Sequence, residues 1–523
     1  MDRSRSWWGW GTTDAALSDD ECRGLAGMLP GLAAEPVPVP RIADLGLRAP
    51  RIEAPSSLAD RCSTDPADRA GHTYGKAYRD VIRSLRGDLP HPPDLVARPR
   101  DEQDVVDLLD WASSTRTAVV PYGGGSSVVG GVEYRGDEHP AVMSLDLGLM
   151  NEVLEVDEVS QAARIQAGAL GPALEAQLRE HNLTLRHYPQ SFEFSTLGGW
   201  LATRSGGHFA TVETHIDDLT ESIRAVTPSG VYASWRLPGS GAGPSPDRLL
   251  LGSEGTLGVI TEAWMRVRPR PSQRASASVV FGDLFSALDA LRELTQSGLR
   301  PANCRVLDEG EAQLAGAGNG EQSVLVLGFE SSGVPVDHDL ADAIELAASH
   351  GGVASAPASR GGRDASADAW RSAFLRMPYV RDGLARVSAV SDTFETAMTW
   401  ERVPDLIADV RAVMPAAITD ACGTPGRLNC RVTHAYPDGC APYFSVIAAA
   451  RPGEELETWD ALKVVASEIL QRHDATITHH HAVGRDHRPW YDDQRPDPFA
   501  AVLGAAKREL DPAGVLNPGV LIG

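Results

Sequence analysis

Five glycines lie within the eleven-residue segment PYGGGSSVVGG, which runs from Pro121 to Gly131 directly after a predicted strand. Glycine allows backbone N–H groups to approach an anion closely, and the neighbouring serine hydroxyls add further donors. A pyrophosphate is therefore the expected occupant of this loop, and a side chain at Gly124 would block its approach. The segment has neither the GxGxxG spacing of a dinucleotide-binding fold nor the lysine of a P-loop, so a plain flexible turn remains the alternative.

Two later segments also combine glycines with hydroxyl side chains. FEFSTLGGWLATRSGG spans Phe192 to Gly207, and LLLGSEGTLGVITEAWMRVRP spans Leu249 to Pro269. The second contains a tight SEGTLG turn that leads into a strand rich in β-branched and aromatic residues. Three such loops along one chain favour a shared binding site over unrelated turns.

Side chains that could move protons or bind anions are concentrated in the second half of the chain. Tyr443 begins a strand rich in Tyr, Phe, Val and Ile, where a core aromatic residue is the alternative interpretation. His479, His480 and His481 are predicted on a strand, so the first and third share a face while His480 points away. No carboxylate or cysteine accompanies them at ligand spacing, so no metal site is expected. Arg381 precedes an aspartate, and a surface ion pair is its alternative interpretation.

Regular structure is predicted from Asp101 onward. Asp101 is a capping-type start for the helix DVVDLLDWA, and the strand TAVVPY then leads into the first glycine loop. AVMSLDLG and RIQAGAL are predicted strands, and GPALEAQLREHN is a predicted helix. The earlier residues are rich in proline, arginine and aspartate, which predicts an extended wrapping segment.

After about Pro271 the pattern changes. LFSALDALRELTQ, DLADAIELAASHGG and ELETWDALKVVASEILQ are predicted helices, SVLVLGFE is a predicted strand, and LNCRVTHAY and PYFSVIAAA are predicted to pair. This order predicts a mostly antiparallel sheet covered by helices. The fold class is therefore α+β. The predicted division is a wrapping segment over 1–80, a first domain over 81–271, a second over 272–490, and a C-terminal helix and tail over 491–523 that return to the first domain.

Composition limits the class of protein and its partners. The chain of 523 residues is too long for one hydrophobic core, and 42% hydrophobic residues with a mean hydropathy of −0.20 are typical of a folded soluble protein. A net charge of −23 disfavours nucleic acid as a partner. Six cysteines without CxxC spacing favour reduced thiols in a cytoplasm. No apolar run reaches membrane-spanning length, so a cytoplasmic protein with at most peripheral membrane contact is expected.

The order of PYGGGSS, FEFSTLGGWLATRSGG, GSEGTLGVIT and HHHAVG resembles the PCMH-type FAD-binding proteins of the vanillyl-alcohol oxidase superfamily. WWGWG, MPYVRDGL, DTFETAMTWERV, CRVTHAYPDGCAPYFSV and THHHAVGRDHRPW are similar to one branch, the alkyldihydroxyacetonephosphate synthase family of ether-lipid synthesis. The resemblance covers nearly the whole chain. It implies a PCMH-type FAD-binding domain of two α/β subdomains and an α/β cap domain that binds substrate. No histidine lies between Pro121 and Gly131, so the FAD is expected to be non-covalent.

The resemblance also implies roles for individual residues. Tyr443 is the implied proton acceptor and donor, Arg305 an activity-linked arginine, Arg381 a substrate-binding arginine, and His479 to His481 a functional run. The implied cofactor-binding residues are Pro121, Tyr122, Gly123, Gly124, Gly125, Ser126, Ser127, Gln190, Ser191, Phe192, Glu193, Phe194, Ser195, Thr196, Thr203, Arg204, Ser205, Gly206, Glu254, Gly255, Thr256, Leu257, Gly258, Val259 and Ile260.

The implied reaction exchanges the acyl group of an acyl-dihydroxyacetone phosphate for a fatty alcohol, through an adduct on flavin N5 and with no net electron transfer. A tyrosine that removes the substrate proton needs a nearby cation, and Arg305, Arg381 or a protonated histidine are the candidates. The expected partner is a small-molecule or lipid-like substrate, phosphorylated if the resemblance extends to substrate, and a homodimer is left open.

Two departures from this family keep other functions open. The tail DPAGVLNPG is closer to flavin oxidases and dehydrogenases of 2-hydroxy acids. The stretch from Asp308 to Val324 is short and polar where the synthases carry a longer, more hydrophobic insert. An FAD-dependent oxidase or dehydrogenase of an alcohol or 2-hydroxy acid is therefore the alternative. A flavin-binding structural or sensory protein is a third, which the Tyr, Arg and His residues of the cap motifs disfavour.

Overall fold

The computed structural model of the chain describes residues 4–209, 215–354 and 365–522, with 365–374 described by their backbone alone. Parts of three predicted segments lie outside the described residues. They are positions 1–3 of the N-terminal segment, 210–214 of the loop after Gly207, and 523 of the C-terminal tail. The described elements pack around two large hydrophobic clusters.

The first cluster forms between two sheets and their helices. Helix Glu102–Thr115 begins where the Asp101 side chain accepts a hydrogen bond from the Asp104 N–H, and it ends at Arg116, whose φ of 55° is left-handed. Strand Ala118–Tyr122 follows and leads into the first glycine loop, so both predicted elements are confirmed. One sheet has four strands, in the order Cys62–Ser63, Leu95–Ala97, Val142–Asp146 and Ala118–Tyr122. The other has five strands, in the order Val153–Asp157, Ala162–Gln166, Val259–Arg266, Thr220–Thr227 and Gly230–Ala233. A separate short pair is formed by Arg268–Pro269 and Leu183–Thr184.

Short helices connect these strands and precede them. The described helices of this part are Asp19–Ala26, Pro66–Gly71, Tyr78–Leu85, Glu102–Thr115, Gly171–Glu180, Leu197–Thr203, Ile216–Leu219 and Asp247–Leu250, with 3-10 turns at Thr13–Ala15, Ile42–Asp44, Ala59–Arg61 and Phe192–Phe194.

The second cluster lies between an eight-stranded antiparallel sheet and the helices that cover one of its faces. Cys430, Val432 and Phe444 point from the sheet into this cluster. The predicted antiparallel sheet covered by helices, and with it the α+β fold class, is confirmed. The strands have the order Val353–Ala354, Gln273–Phe281, Ser323–Ser331, Asn303–Leu307, Arg427–Ala435, Gly439–Ala449 and Ala389–Glu395, and Met398–Thr399 pairs beside Gly439–Ala449. The helices of this part are Leu284–Gln296, Glu309–Leu314, Asp337–Ser349, Ala365–Arg386, Val403–Cys422 and Glu455–Arg472, with a 3-10 turn at Trp400–Arg402. Of these, Glu309–Leu314 packs on the other face of the sheet, in a small cluster with Leu307, Val324 and Val326.

The two ends of the chain pack against both clusters. Trp8 and helix Tyr78–Leu85 belong to the second cluster, which we call the cap cluster because it lies in the predicted cap domain. The predicted domain boundary at residue 81 falls inside that helix. After helices Arg488–Gln494 and Asp497–Leu510, Val515 enters the first cluster and its carbonyl accepts a hydrogen bond from the Val119 N–H at 2.8 Å. None of the described helices combines the length and the apolar character that a membrane span needs.

Candidate active site

A cavity of about 550 Å³ opens between the glycine loops and one face of the eight-stranded sheet, which we call the cap sheet. This volume is within the range of about 300–1,000 Å³ that is usual for small-molecule and cofactor sites. Its wall combines the backbone of the glycine loops, polar side chains of the cap sheet, and an apolar group of side chains. The apolar group consists of Leu25, Met28, Leu314, Met377, Val380 and Leu384.

The first glycine loop presents backbone donors to this cavity. Among the residues that the structure describes, the N–H groups of Gly123 to Ser127 donate to no protein acceptor. Buried N–H groups without protein partners fit an anionic group such as a phosphate. A Cβ at Gly124 would overlap the carbonyl oxygen of Phe194, so this glycine is required for contact between the first two loops. A side chain at Gly124 would therefore collide with the second glycine loop, whereas the expectation from the sequence was that it would block the approach of the anion.

Most of the predicted cofactor-binding residues line the cavity: Pro121 to Ser127, Gln190, Ser191, Ser195, Thr196, Thr203, Ser205, Gly206, Glu254, Gly255 and Gly258 to Ile260. The remaining predicted residues do not line the cavity. Arg204 is exposed and donates to Asp217 at 2.8 Å, and Leu257 is in the first cluster. The predicted residues that do not line it are Phe192, Glu193, Phe194, Arg204, Thr256 and Leu257.

One face of the cap sheet supplies the polar part of the wall. Arg431 and Tyr443 are direct partners across two antiparallel strands, and both line the cavity. A register shift between Val432 and His434 places Thr433 and His434 on the cavity side as well. β-Bulges of this kind redirect side chains.

Tyr443 is buried, and its hydroxyl donates to Thr393 Oγ1 at 3.0 Å. The guanidinium of Arg431 lies 3.9 Å from the centre of the Tyr443 ring. Burial raises the pKa of Tyr443, and Arg431 acts in the opposite direction. Arg431 is therefore a cation on this tyrosine that was not named from the sequence, and activation by Arg305, Arg381 or a protonated histidine stays a prediction.

The three consecutive histidines do not lie on a strand, contrary to prediction. They form a bend around the buried carboxylate of Glu395, which accepts hydrogen bonds from the backbone N–H groups of His479 at 2.9 Å, His480 at 3.1 Å and His481 at 3.0 Å. His480 and His481 both line the cavity beside Tyr443, whereas His479 lies behind them. Because the bend replaces the alternation of a strand, His480 faces the same space as His481.

The charges of this histidine bend depend on Glu395. Burial disfavours its ionisation, but His480 and then His481 hold the pKa of Glu395 well below its usual range. Burial lowers the pKa of His481 to about 3 and that of His479 well below its usual range. The bend thus pairs a buried carboxylate with two imidazoles, those of His479 and His481, that burial keeps neutral at neutral pH.

In space the carboxylate of Glu395 accompanies the histidines, although no carboxylate lies at ligand spacing along the sequence. His434, His479 and His480 also have ring nitrogens within 4.8 Å of one another. Several of these nitrogens have protein partners: His434 Nδ1 lies 2.9 Å from Thr433 Oγ1, and His479 Nε2 bonds the Tyr436 hydroxyl. We assign no metal to this group.

Arg305 and Arg381 also reach the cavity. Arg305 is buried and donates to the His208 carbonyl at 2.7 Å. Burial, and to a smaller extent the positive charge of Arg431, lowers the pKa of Arg305 to about 9. Arg381 donates to Asp382 at 2.8 Å and to the Lys76 carbonyl at 2.7 Å. The ion pair considered for Arg381 exists, but it is half-buried at the cavity wall and not on the outer surface.

Three side chains of the site received no role in the sequence analysis: Arg431 and Glu395, which lie inside quoted motifs, and Glu311, which lies outside them. Glu311 belongs to the helix Glu309–Leu314, within the stretch predicted to be short and polar. It is buried, pairs with Arg431 at 3.1 Å and accepts from the Ser445 hydroxyl. The polarity of that stretch therefore supplies the counter-ion of an arginine at the cavity.

Family models match both parts of the chain. The model described as "FAD binding domain" matches residues 93–234, and the one described as "FAD linked oxidases, C-terminal domain" matches residues 270–521. A solved p-cresol methylhydroxylase is similar in fold, with a TM-score of 0.69 at 15% identity over 89% of this chain and 95% of that chain. The chain is an FAD-linked flavoprotein enzyme of the PCMH type, and its cofactor is FAD.

More specific relatives define the family. The alkyldihydroxyacetonephosphate synthase of Dictyostelium discoideum is 31% identical over 89% of this chain and 79% of its own length. That of Caenorhabditis elegans is 30% identical over 86% of this chain and 79% of its own length. A solved alkyldihydroxyacetonephosphate synthase has a TM-score of 0.82 at 26% identity, covering 98% of this chain and 97% of that chain. The chain belongs to the alkyldihydroxyacetonephosphate synthase family.

Proposed function

We propose that this chain catalyses the reaction for which its relatives are named, the exchange of the acyl group of an acyl-dihydroxyacetone phosphate for a fatty alcohol. In that reaction the bond between the dihydroxyacetone carbon and the ester oxygen breaks, and the acid leaves with both of its oxygens. A new bond forms from the same carbon to the oxygen of the alcohol, whose proton is released. No electrons are gained or lost overall.

The observation that carries the proposal is the composition of the cavity wall. The backbone donors that suit the FAD pyrophosphate, the guanidinium of Arg381 and the apolar group of Leu25, Met28, Leu314, Met377, Val380 and Leu384 share one space, which leaves Arg381 for a substrate phosphate. A substrate with a phosphorylated head and a long hydrocarbon chain matches this combination, because guanidinium groups bind phosphate and apolar side chains exclude water.

The residues present fit FAD. The N–H groups of Gly123 to Ser127 would hold its pyrophosphate, while the cavity-lining parts of the second and third glycine loops would hold the rest. When bound, FAD supplies the centre that carries the reacting carbon between departure of the acid and entry of the alcohol. Non-covalent attachment stays a prediction.

The side chains of the cap sheet then handle the proton and the charges. Tyr443 accepts a proton from the substrate carbon, which is acidified by the adjacent ketone. Arg381 binds the phosphate and fixes the position of that carbon relative to Tyr443. His480 and His481, held by Glu395, lie beside the Tyr443 ring and are placed to relay the proton. Each step uses groups that line the same cavity or hold a lining residue in place.

The test is anaerobic incubation of the FAD-loaded protein with acyl-dihydroxyacetone phosphate and a fatty alcohol, followed by absorbance and product analysis. We expect alkyl product without any electron acceptor and no persistent bleaching of the flavin band. Persistent bleaching by an alcohol or a 2-hydroxy acid, with no exchange product, would establish the oxidase alternative. A matched incubation with the unphosphorylated ketone ester should give much less product if Arg381 binds phosphate.

A further inference from the structure

Arg431 is a buried guanidinium at the cavity wall, 6% exposed, in direct register with Tyr443 on the neighbouring strand. Its guanidinium covers the face of the tyrosine ring at 3.9 Å from the ring centre. A charge buried at this cost is retained only when it is paired or when it acts on a neighbouring group. The relevant neighbour here is Tyr443.

The positive charge of Arg431 is only partly compensated. Its Nη1 donates to Glu311 at 3.1 Å, but Glu311 also accepts from the Ser445 hydroxyl. Within the described residues, the Nε–H of Arg431 has no acceptor. A guanidinium with one shared carboxylate partner retains an electric field that favours negative charge on the adjacent phenol oxygen.

The other charged and titratable groups around Tyr443 do not replace this effect. Glu395 and Asp392 lie on the neighbouring strand and disfavour ionisation of the phenol. Lys463 is paired with Asp392 at 3.1 Å. The groups that face Tyr443 are Arg431 and Glu311 from the Arg431 side, Glu395 and Asp392 from the strand Ala389–Glu395, His480 and His481 from the histidine bend, and Lys463 from the helix Glu455–Arg472.

We propose that Arg431 is a positioning residue that stabilises Tyr443 as a phenolate and so enables it to accept the substrate proton. The proton transfer rests on the proposed function, whereas the effect of Arg431 on the ionisation of Tyr443 does not. Glu311 tunes this effect, because it withdraws part of the guanidinium charge. The two side chains therefore have opposite influences on the same phenol.

The experiment measures that ionisation directly in the FAD-loaded protein. Tyr443 is replaced by 3,5-difluorotyrosine, whose more acidic phenol ionises in an accessible pH range, and its titration is followed by fluorine NMR. We expect Arg431→Met to move the midpoint upward by about 1 to 3 pH units, the scale of one nearby cation at intermediate dielectric. Glu311→Gln should move it downward, and Arg431→Lys should restore part of the shift.

Arg83 offers a matched control, because its guanidinium lies 4.2 Å from the centre of the Tyr74 ring and pairs with Glu133 at 2.7 Å, away from the cavity. Arg83→Met should lower thermal stability without moving the Tyr443 midpoint. A midpoint that stays unchanged in folded, FAD-loaded Arg431→Met, or in Glu311→Gln if the first variant does not fold, overturns the inference. Shifted midpoints in a protein without exchange activity would instead refute the proposed function and leave the inference standing.

Discussion

The hydroxyl of Tyr443 donates a hydrogen bond to Thr393, while its ring fills part of the cavity wall. Tyr443→Phe keeps the ring and removes the proton carrier. We expect turnover to fall by about 10² or more, the usual scale for loss of a general acid or base, with FAD content and Tm nearly unchanged. Steady-state kinetics and differential scanning fluorimetry measure both quantities.

Tyr78 provides the control for this variant. It is a fully buried tyrosine of the cap cluster whose hydroxyl has no partner in the described part of the chain. Tyr78→Phe should leave turnover unchanged. If Tyr443→Phe retains near-normal turnover, or loses its flavin together with activity, Tyr443 is a packing residue and the proton-transfer role must be withdrawn.

Glu395 holds the histidine bend because both of its carboxylate oxygens accept hydrogen bonds from backbone N–H groups. A glutamine side chain has only one oxygen that can accept. In Glu395→Gln, an NH₂ group would face backbone N–H donors, and the charge beside His480 and His481 would be lost. We expect the free energy of unfolding to fall by about 3 kcal/mol and turnover to fall with it. Chemical denaturation and kinetics test this at one pH.

The comparison that isolates the site is Glu455→Gln. Glu455 is also buried, but its side-chain partners Arg86 and Ser388 do not line the cavity, whereas Glu395 holds His480 and His481, which do. We expect a loss of stability with turnover per folded, FAD-loaded molecule unchanged. Equal activity losses in the two variants would show that Glu395 has no specific relation to the site.

Tyr443, Arg305 and Arg381 were predicted as site residues from sequence motifs, and all three line one cavity. Arg431 and Glu395 lie in quoted motifs as well, but the motifs do not single them out. The significance of each depends on which residue lies across from it. Their roles, like those of the motif residues, stay predictions.

At the scale of elements, the decisive feature is the register of the hairpin formed by Arg427–Ala435 and Gly439–Ala449. Counting from the turn pairs Ala435 with Cys440 and would place Val432 opposite Tyr443. The shift between Val432 and His434 places Arg431 there instead. A one-residue slip moves a side chain to the other face, and bulges of this kind are not visible in a hydrophobic pattern. The helices Glu102–Thr115 and Leu284–Gln296, by contrast, were predicted from their apolar periodicity, whereas Ala365–Arg386 and Val403–Cys422 were not predicted.

The contact between the first two glycine loops leads to a further prediction. Gly124→Ala adds one carbon that would overlap the Phe194 carbonyl, so the loops must separate. We expect FAD affinity to fall by tenfold or more, corresponding to about 1.4 kcal/mol, measured by titrating apoprotein with FAD. Gly24→Ala, in the open helix Asp19–Ala26, should leave FAD affinity unchanged. Unaltered affinity in Gly124→Ala would mean that the loop contact does not shape the FAD site.

At the scale of the whole molecule, two hydrophobic clusters meet at the cavity, and the ends of the chain pack on both. Chain length and pattern change predicted two large parts. The pattern could not predict that Trp8 and helix Tyr78–Leu85 pack in the cap cluster, because segments this short do not reveal their packing partner. The exact domain boundaries remain predictions.

Acid should weaken the folded molecule through the histidine bend. The pKa of His481 is about 3 in the folded protein and about 6.5 in an unfolded chain, so the unfolded chain binds more protons between these values. The free energy of unfolding therefore falls as the pH drops from about 6.5 toward 3, by about 1 to 2 kcal/mol at pH 5 from this residue. Denaturation at pH 7 and pH 5 measures the loss.

His481→Asn should make the stability less dependent on pH in this range, whereas His338→Asn, at an exposed position, should not. The same pH dependence in His481→Asn and the unsubstituted protein would contradict the assignment of this effect to the bend.

The central claim is an exchange at one carbon without net electron transfer. The most direct measurement uses FAD-loaded protein, acyl-dihydroxyacetone phosphate and a fatty alcohol labelled with oxygen-18, under anaerobic conditions and without an electron acceptor. Mass spectrometry should find one labelled ether product for each fatty acid released, because the alcohol oxygen forms the new bond. Product that appears only with an electron acceptor, or an ether that lacks the label, would contradict the account.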